Sequence, residues 1–168
     1  YHATSVDDIA KVAQVPKGSF YNHFKSKEDL AAEVLDRYAQ SGPHGLLLEK
    51  KIAPVKRLKQ YFTELGRDFI DSNFMKGCML GNFTNELADH NALMRRKLDD
   101  YFSTWVDTIS EVINEGQADG SIESKQKPDL LAGFILSAWQ GALIRSRATK
   151  DPRIIKEFHQ MVFNHLLK

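Results

Sequence analysis

Residues 4–27, TSVDDIAKVAQVPKGSFYNHFKSK, decide the fold of this chain, because they predict two short helices joined by a tight turn. Thr4 and Ser5 supply side-chain oxygens that can cap the free N–H groups of a first helix. Pro16 follows the turn and stands at the first position of a second helix, where proline is tolerated best. We predict that the second helix spans about residues 17–23.

The second predicted helix carries hydrogen-bond donors and planar side chains on its outer face. Phe20 and Phe24 are expected to anchor it inward, and Gly18 leaves room for a phosphate to approach the backbone. A helix-turn-helix places its second helix in the major groove and holds the duplex with flanking contacts. The residues that we predict to contact DNA are Thr4, Lys17, Gly18, Ser19, Tyr21, Asn22, His23, Lys25 and Lys27.

An ordinary helical hairpin with a solvated basic face would also explain this segment, because such hairpins are common in all-α proteins. The string VPKGSFYNHFKSKEDL favours DNA binding, since it resembles the recognition-helix signature of the TetR family of one-component transcriptional regulators. The residues at family-typical positions are Lys17, Gly18, Ser19, Tyr21, His23, Phe24, Lys27 and Leu30. One departure is Gln14, where many members have glycine, but a non-glycine residue can hold a left-handed conformation at modest cost.

The resemblance is close to about residue 40 and looser beyond it. It implies an all-α, TetR-like fold, with a helix-turn-helix domain over residues 1–42 and a helical effector-binding and dimerisation domain over residues 43–168. TetR-type regulators have a further helix before the position of Thr4, so we expect the natural protein to have more residues upstream. The implied partners are double-stranded operator DNA, a second copy of the chain, and a small-molecule or electrophile effector that releases a repressor.

The composition limits the class of protein. The 168 residues provide room for one large domain, or for one large and one very small domain, and 42% hydrophobic residues suffice for a core. No apolar run approaches the length of a membrane span, so we expect no membrane partner. The single cysteine excludes an internal disulfide and fits a reducing, cytoplasmic compartment. Because the net charge is only +1, DNA affinity must come from a local patch.

The rest of the chain is predicted to be helical, without strand-like alternation and without internal repeats. The predicted boundaries are a helix ending near Gly42-Pro43, a long helix from Pro54, another ending near Gly116, and two final helices from Pro128-Asp129 and Asp151-Pro152.

The last two helices are the predicted dimer interface. Gly133, Ser137 and Gly141 are spaced four apart and give one helix face very small side chains, which would let a second helix approach closely. For a single helix, packing in a monomer core is the favoured explanation of such residues. A helix-turn-helix that recognises paired half-sites requires a symmetric dimer, however. The predicted interface residues are Gly133, Ser137, Gly141, Ile155, Phe158 and Val162.

The segment between Pro54 and Trp139 is rich in large aromatic residues with polar residues among them. Ligand pockets combine apolar walls with a few oriented polar groups, although aromatics at helical spacing are more often plain core. The TetR resemblance implies an effector pocket in this region. The residues that we predict to bind the ligand are Tyr61, Cys78, Asn82, Phe83, Glu86, Trp105, Trp139 and Gln140.

Cys78 lies where a helix is predicted to begin, two residues after Lys76. A helix N-terminus and a nearby cation both favour the reactive thiolate. The Gly-Cys step resembles TetR-type repressors that sense electrophiles. Three roles remain open at this point: electrophile sensor, pocket wall and inert core residue.

The sequence offers little for catalysis. Cys78 and His90 would lie about three turns apart on one helix, too far for a nucleophile and its base. We find no metal-ligand spacing and no phosphate-binding loop, and therefore predict no enzyme activity, no metal and no cofactor. The alternative function is a helical protein-interaction module that has lost DNA binding. The exposed donors of the predicted second helix argue against this alternative.

Overall fold

The computed structural model describes residues 1–168 and consists of helices and their connections. Its nine α-helices are α1 (Val6–Val12), α2 (Lys17–Tyr21), α3 (Lys27–Gln40), α4 (Gly45–Leu48), α5 (Pro54–Asp71), α6 (Met79–Leu87), α7 (Ala92–Asp119), α8 (Pro128–Thr149) and α9 (Arg153–Met161). The all-α prediction is confirmed. No helix is both long and apolar enough to cross a membrane.

The helix-turn-helix is formed by α1 and α2. Ser5 caps α1 in a reciprocal pair with Asp8: the Asp8 amide donates to Ser5 Oγ at 3.1 Å, and the Ser5 amide donates to the Asp8 carboxylate at 2.8 Å. Gln14 holds the turn with a φ of +56°, as its place in the motif predicts. Pro16 caps α2, which ends at Tyr21 and is therefore shorter than predicted.

Helix α3 links the helix-turn-helix to the rest of the protein. Ser26 caps its start, accepting a hydrogen bond from the Asp29 amide at 3.1 Å. Ala31 and Leu35 are buried where α3 packs against α6 and α7. After α3 the chain turns at Gly42, whose φ of +87° suits a residue without a Cβ.

A buried charge fixes the single-turn helix α4, which the sequence analysis did not predict. Arg57 on α5 is 1% exposed; it donates to the Leu47 carbonyl of α4 at 2.7 Å and forms an ion pair with Glu115 on α7. One guanidinium therefore joins α4, α5 and α7. The carboxylate of Glu115 neutralises its charge, which would be costly to bury without a partner.

Residues 43–168 form the larger unit of the protein. In its core, three aromatic rings join α5, α8 and α9. Phe62 lies 5.4 Å from Trp139 and 5.2 Å from Phe158 between ring centroids, and Trp139 lies 5.1 Å from Phe158. Edge-to-face pairs at this spacing contribute beyond the area that they bury. The rings connect the last helix to the centre of the same protomer.

This packing corrects part of the predicted dimer interface. Ile155, Phe158 and Val162 are 4%, 7% and 2% exposed, because the protomer's own core covers them. Helical spacing identified an apolar face on α9 correctly, but it could not show which neighbour covers that face. Beyond α9, residues Val162–Leu166 form a π-helical turn that was not predicted.

Candidate DNA-binding surface and effector cavity

Tyr21 is the most prominent side chain on α2. It is 54% exposed, while its neighbour Phe20 is 5% exposed. The two rings meet edge to face, with centroids 5.2 Å apart and planes at 81°. A buried phenylalanine thus supports an outward-facing tyrosine, whose hydroxyl is available to a base edge or a phosphate.

The neighbouring predicted DNA residues are mostly exposed. The residues that are exposed alongside Tyr21 are Thr4, Lys17, Gly18, Asn22, His23 and Lys25, whereas Ser19 is half-buried. Lys17 forms an ion pair with Asp7 at 2.6 Å, but both side chains are largely exposed. Such a pair is weak, so a phosphate can replace the carboxylate. A Cβ built on Gly18 would meet no atom within 4 Å, which leaves its backbone open to a close approach.

Lys27 has a different role from the one predicted. Its Nζ donates to the Tyr1 carbonyl at 3.1 Å and to the Thr4 carbonyl at 2.8 Å, and it lies 4.0 Å from the centre of the Tyr1 ring. These contacts hold the segment before α1 against the start of α3. Lys27 is therefore a clamp within the protein, and two of the three N–H groups of its ammonium are already used by backbone carbonyls.

A cavity of about 620 Å³ lies between α3 and the larger unit, where α3, α5, α6, α7 and α8 meet. Of the predicted ligand residues, it is lined by Tyr61, Cys78, Trp105 and Trp139. Its wall also contains Asp36, Tyr38, His44, Asp68, Lys76 and Tyr101, which the sequence analysis did not assign. The volume is within the range of small-molecule sites.

The four other predicted ligand residues lie outside this cavity, which corrects that part of the prediction. Asn82 accepts a hydrogen bond from Arg147 Nη1 at 3.1 Å. Glu86 accepts one from the His2 amide at 2.9 Å, and Phe83 packs edge to face on Tyr1. Gln140 lies against Gly81, where an added Cβ would come within 2.7 Å of its Oε1. These side chains contact a neighbouring helix or the segment before α1.

Three polar side chains of the cavity wall, His44, Tyr61 and Tyr38, are held in neutral forms. Burial lowers the pKa of His44 and raises the pKa of Tyr61. Burial, together with the neighbouring Cys78 thiol, raises the pKa of Tyr38 to about 12. The Tyr61 hydroxyl and His44 Nδ1 lie 3.3 Å apart. At neutral pH the wall therefore offers hydroxyl and imidazole groups without charge.

Cys78 is part of the cavity wall and is 7% exposed. It occupies the N-cap position of α6, as the sequence predicted, and its thiol is a neighbour of the Tyr38 hydroxyl. This position combines two of the roles left open above, because a wall residue contacts any ligand and a thiol can also react with one.

The exposed face of α8 carries an apolar stripe. Leu130, Phe134 and Ile144 are 60%, 59% and 63% exposed. Ser137 and Gly141 complete the stripe, so that successive members alternate four and three residues apart. This is the heptad spacing of a helix–helix seam. A Cβ at Gly141, or at half-buried Gly133 beside the stripe, would meet no atom of the protomer within 4 Å.

The fold and these surfaces together define a helix-turn-helix regulator with a cavity among its remaining helices. Two family models match the chain: the one described as "Bacterial regulatory proteins, tetR family" over residues 1–34, and the one described as "Tetracyclin repressor-like, C-terminal domain" over residues 54–162. The chain therefore belongs to the TetR family of DNA-binding transcriptional regulators.

Individual relatives agree with this assignment. The transcriptional repressor DhaR of Mycobacterium sp. strain GP1 is 38% identical, over 99% of this chain and 84% of the relative. The crystal structure of regulatory protein TetR from Rhodobacter sphaeroides superposes with a TM-score of 0.89 at 29% identity, over 98% of this chain and 89% of that one. The reduced form of Escherichia coli NemR shares the fold, with a TM-score of 0.83 at 22% identity, over 97% and 86% of the two chains.

Proposed function

We propose that this protein is a ligand-responsive repressor that binds its operator as a homodimer in the cytoplasm and leaves it when an effector occupies the cavity. The observation that carries the proposal is the pairing of two features in one protomer. One is the exposed α2 surface around Tyr21, and the other is the uncovered apolar stripe on α8. Relatives named as repressors support repression rather than activation of transcription.

The α8 stripe supports the homodimer. Three large apolar side chains at about 60% exposure are unusual on one helix face, and the heptad spacing fits a second helix. A second copy of the same chain offers the same stripe, so a two-fold axis closes the interface. The dimer interface that we propose contains Gly133, Ser137 and Gly141 from the sequence prediction, together with Leu130, Phe134 and Ile144.

The cavity supports effector control because its wall includes residues of α3. Asp36 on α3 and Tyr101 on α7 both line the cavity and are hydrogen-bonded to each other. A ligand between these helices changes the position of α3, and α3 carries the helix-turn-helix. The ligand can shift the equilibrium only by its difference in affinity for the two arrangements.

Cys78 supports a second kind of effector, a reactive electrophile, because its thiol lies in the cavity wall. With an α,β-unsaturated carbonyl compound, the sulfur forms a bond to the β-carbon and the proton lost by the thiol is taken up at the α-carbon. The adduct would remain in the cavity and act as a covalently held ligand. Cys78→Ser retains the size of the side chain and removes this reaction.

Footprinting on the DNA upstream of the protein's own gene tests the proposal. We expect two protected half-sites whose centres lie about 34–36 Å apart, since each protomer presents one α2 to the major groove. Addition of N-ethylmaleimide should remove the protection if Cys78 is the switch, and Cys78→Ser should then retain it. Absence of any protected site would favour the helical interaction module instead.

A further inference from the structure

The cavity wall contains a buried hydrogen-bond donor without an acceptor. Trp105 lines the cavity, and its indole Nε1 is buried and makes no hydrogen bond. It lies beside the Tyr61 ring, with the two rings perpendicular at 89° and centroids 6.3 Å apart. The indole N–H is close enough to the Tyr61 hydroxyl to oppose the rise in its pKa, but the pair does not meet hydrogen-bond geometry. Indole nitrogen only donates, so this site calls for an acceptor.

The groups around this donor carry no free charge. Its polar aromatic neighbours are Tyr61 and His44, and the ring centroid of each lies 6.3 Å from that of Trp105. Burial lowers the pKa of His44, which keeps it uncharged. A carboxylate ligand would find no cation in this part of the wall, and an ammonium ligand would find no carboxylate.

The charged residues of the cavity lie elsewhere or are already paired. Asp36 accepts from Tyr101 and forms an ion pair with Lys97 at 2.6 Å. Asp68 and Lys76 line the cavity but are exposed, so water solvates them. An ionic ligand would therefore lose its hydration deep in the cavity without gaining an opposite charge.

We infer that the cavity is built for an uncharged aromatic molecule with a carbonyl oxygen, which accepts a hydrogen bond from Trp105 Nε1 while its ring packs among the aromatic side chains. This inference deepens the proposed function, because it takes the cavity as the effector site and names the chemical class of the effector. Tyr61 and His44 provide a second polar contact to the same oxygen or to a neighbouring hydroxyl.

Isothermal titration calorimetry with four naphthalene derivatives, substituted at the same ring carbon, tests the inference. The probes are methyl naphthyl ketone, ethylnaphthalene, naphthoate and naphthylmethylammonium, which differ in acceptor and charge at nearly constant size. We expect the ketone to bind about tenfold more tightly than each of the others, the difference that one buried hydrogen bond makes. Equal affinity for ketone and hydrocarbon, preference for either ion, or binding of none of the four would overturn the inference.

Two matched variants locate the hydrogen bond. Trp105→Phe retains an aromatic ring and removes the N–H, so the ketone should lose its advantage while the affinity for ethylnaphthalene stays within about twofold. Thr63→Val removes a hydroxyl of α5 that donates to the Lys59 carbonyl outside the cavity, and it should leave the ketone preference unchanged. A ketone preference that persists in Trp105→Phe would show that Trp105 is not the donor.

These titrations use the protein without DNA, so they succeed or fail independently of operator binding. Ketone preference in a protein that releases no operator would support the ligand class and contradict effector control. Operator release by compounds without an acceptor would support effector control and contradict the ligand class.

Discussion

The Tyr101 hydroxyl of α7 donates a hydrogen bond to the Asp36 carboxylate of α3. Lys97, one turn earlier on α7, forms an ion pair with the same carboxylate at 2.6 Å. These contacts join the helix that carries the helix-turn-helix to the cavity domain, and both Asp36 and Tyr101 line the cavity. The interaction is therefore placed where an effector would disturb it.

Asp36→Asn is expected to lower operator affinity about 3- to 10-fold, because it weakens an interhelical contact with a net value of about 1 kcal/mol. Fluorescence anisotropy gives the affinity, and hydrogen exchange over residues 1–40 should become faster. Glu33→Gln is the control, since Glu33 pairs only with Arg37 on the same helix. If both variants behave alike, the Asp36 contact does not position the helix-turn-helix.

Gly141→Leu is expected to weaken the dimer about 10- to 100-fold by overfilling the proposed seam. Within the protomer the new side chain meets open space, so the fold itself should tolerate it. Gly45→Leu is a matched control on α4, where a Cβ also meets no atom within 4 Å. Sedimentation equilibrium measures the association, and an unchanged Gly141→Leu dimer would place the interface elsewhere.

Phe158→Ala is expected to lower the free energy of unfolding by about 3–5 kcal/mol, as truncation of a buried aromatic residue does. The lost contacts are those with Phe62 and Trp139, which lie within the protomer. Urea denaturation at fixed protein concentration measures the change. If the variant has unaltered stability but a weaker dimer, Phe158 belongs to the dimer interface and not to the protomer core.

Lys25→Ala and Lys27→Met should have opposite consequences. Lys25 is exposed and forms no ion pair or hydrogen bond through its ammonium. We therefore expect its loss to reduce the slope of log operator affinity against log salt concentration by about 1 for each protomer. Lys27 is held by two backbone carbonyls, so its loss should lower the thermal stability without altering that slope. If the loss of Lys27 reduces the salt slope and leaves the thermal stability unchanged, Lys27 is a phosphate ligand.

Helix boundaries were the part of the fold that local chemistry determined. Proline at the first turn of α5 and α8 fixed both starts. Helix α7 instead continues past its predicted end near Gly116 to Asp119, where Gly120 in the left-handed region follows it. The single turn of α4 was missed because Arg57, a residue outside it, holds it in place. The local sequence of α4 does not indicate a contact with a residue on another helix.

The cavity was only partly predictable for the same reason. Tyr61, Trp105 and Trp139 have helical spacing, but core residues and pocket residues share that pattern. Tyr38 near the end of α3 and His44 in the following turn gave no signal of their own, and they join the wall only because α3 packs against the larger unit. Tertiary packing decides which polar side chains face a cavity.

The central claim is that α2 recognises DNA through its exposed face, and one titration tests it most directly. Fluorescence anisotropy compares the full-length protein with Tyr21→Ala on labelled DNA from its own upstream region, against scrambled DNA of equal length. We expect tight, sequence-selective binding by the natural protein and loss of that selectivity in Tyr21→Ala, with the dimer intact by sedimentation. Equal operator affinity in the variant would contradict the assignment of α2 as the recognition helix.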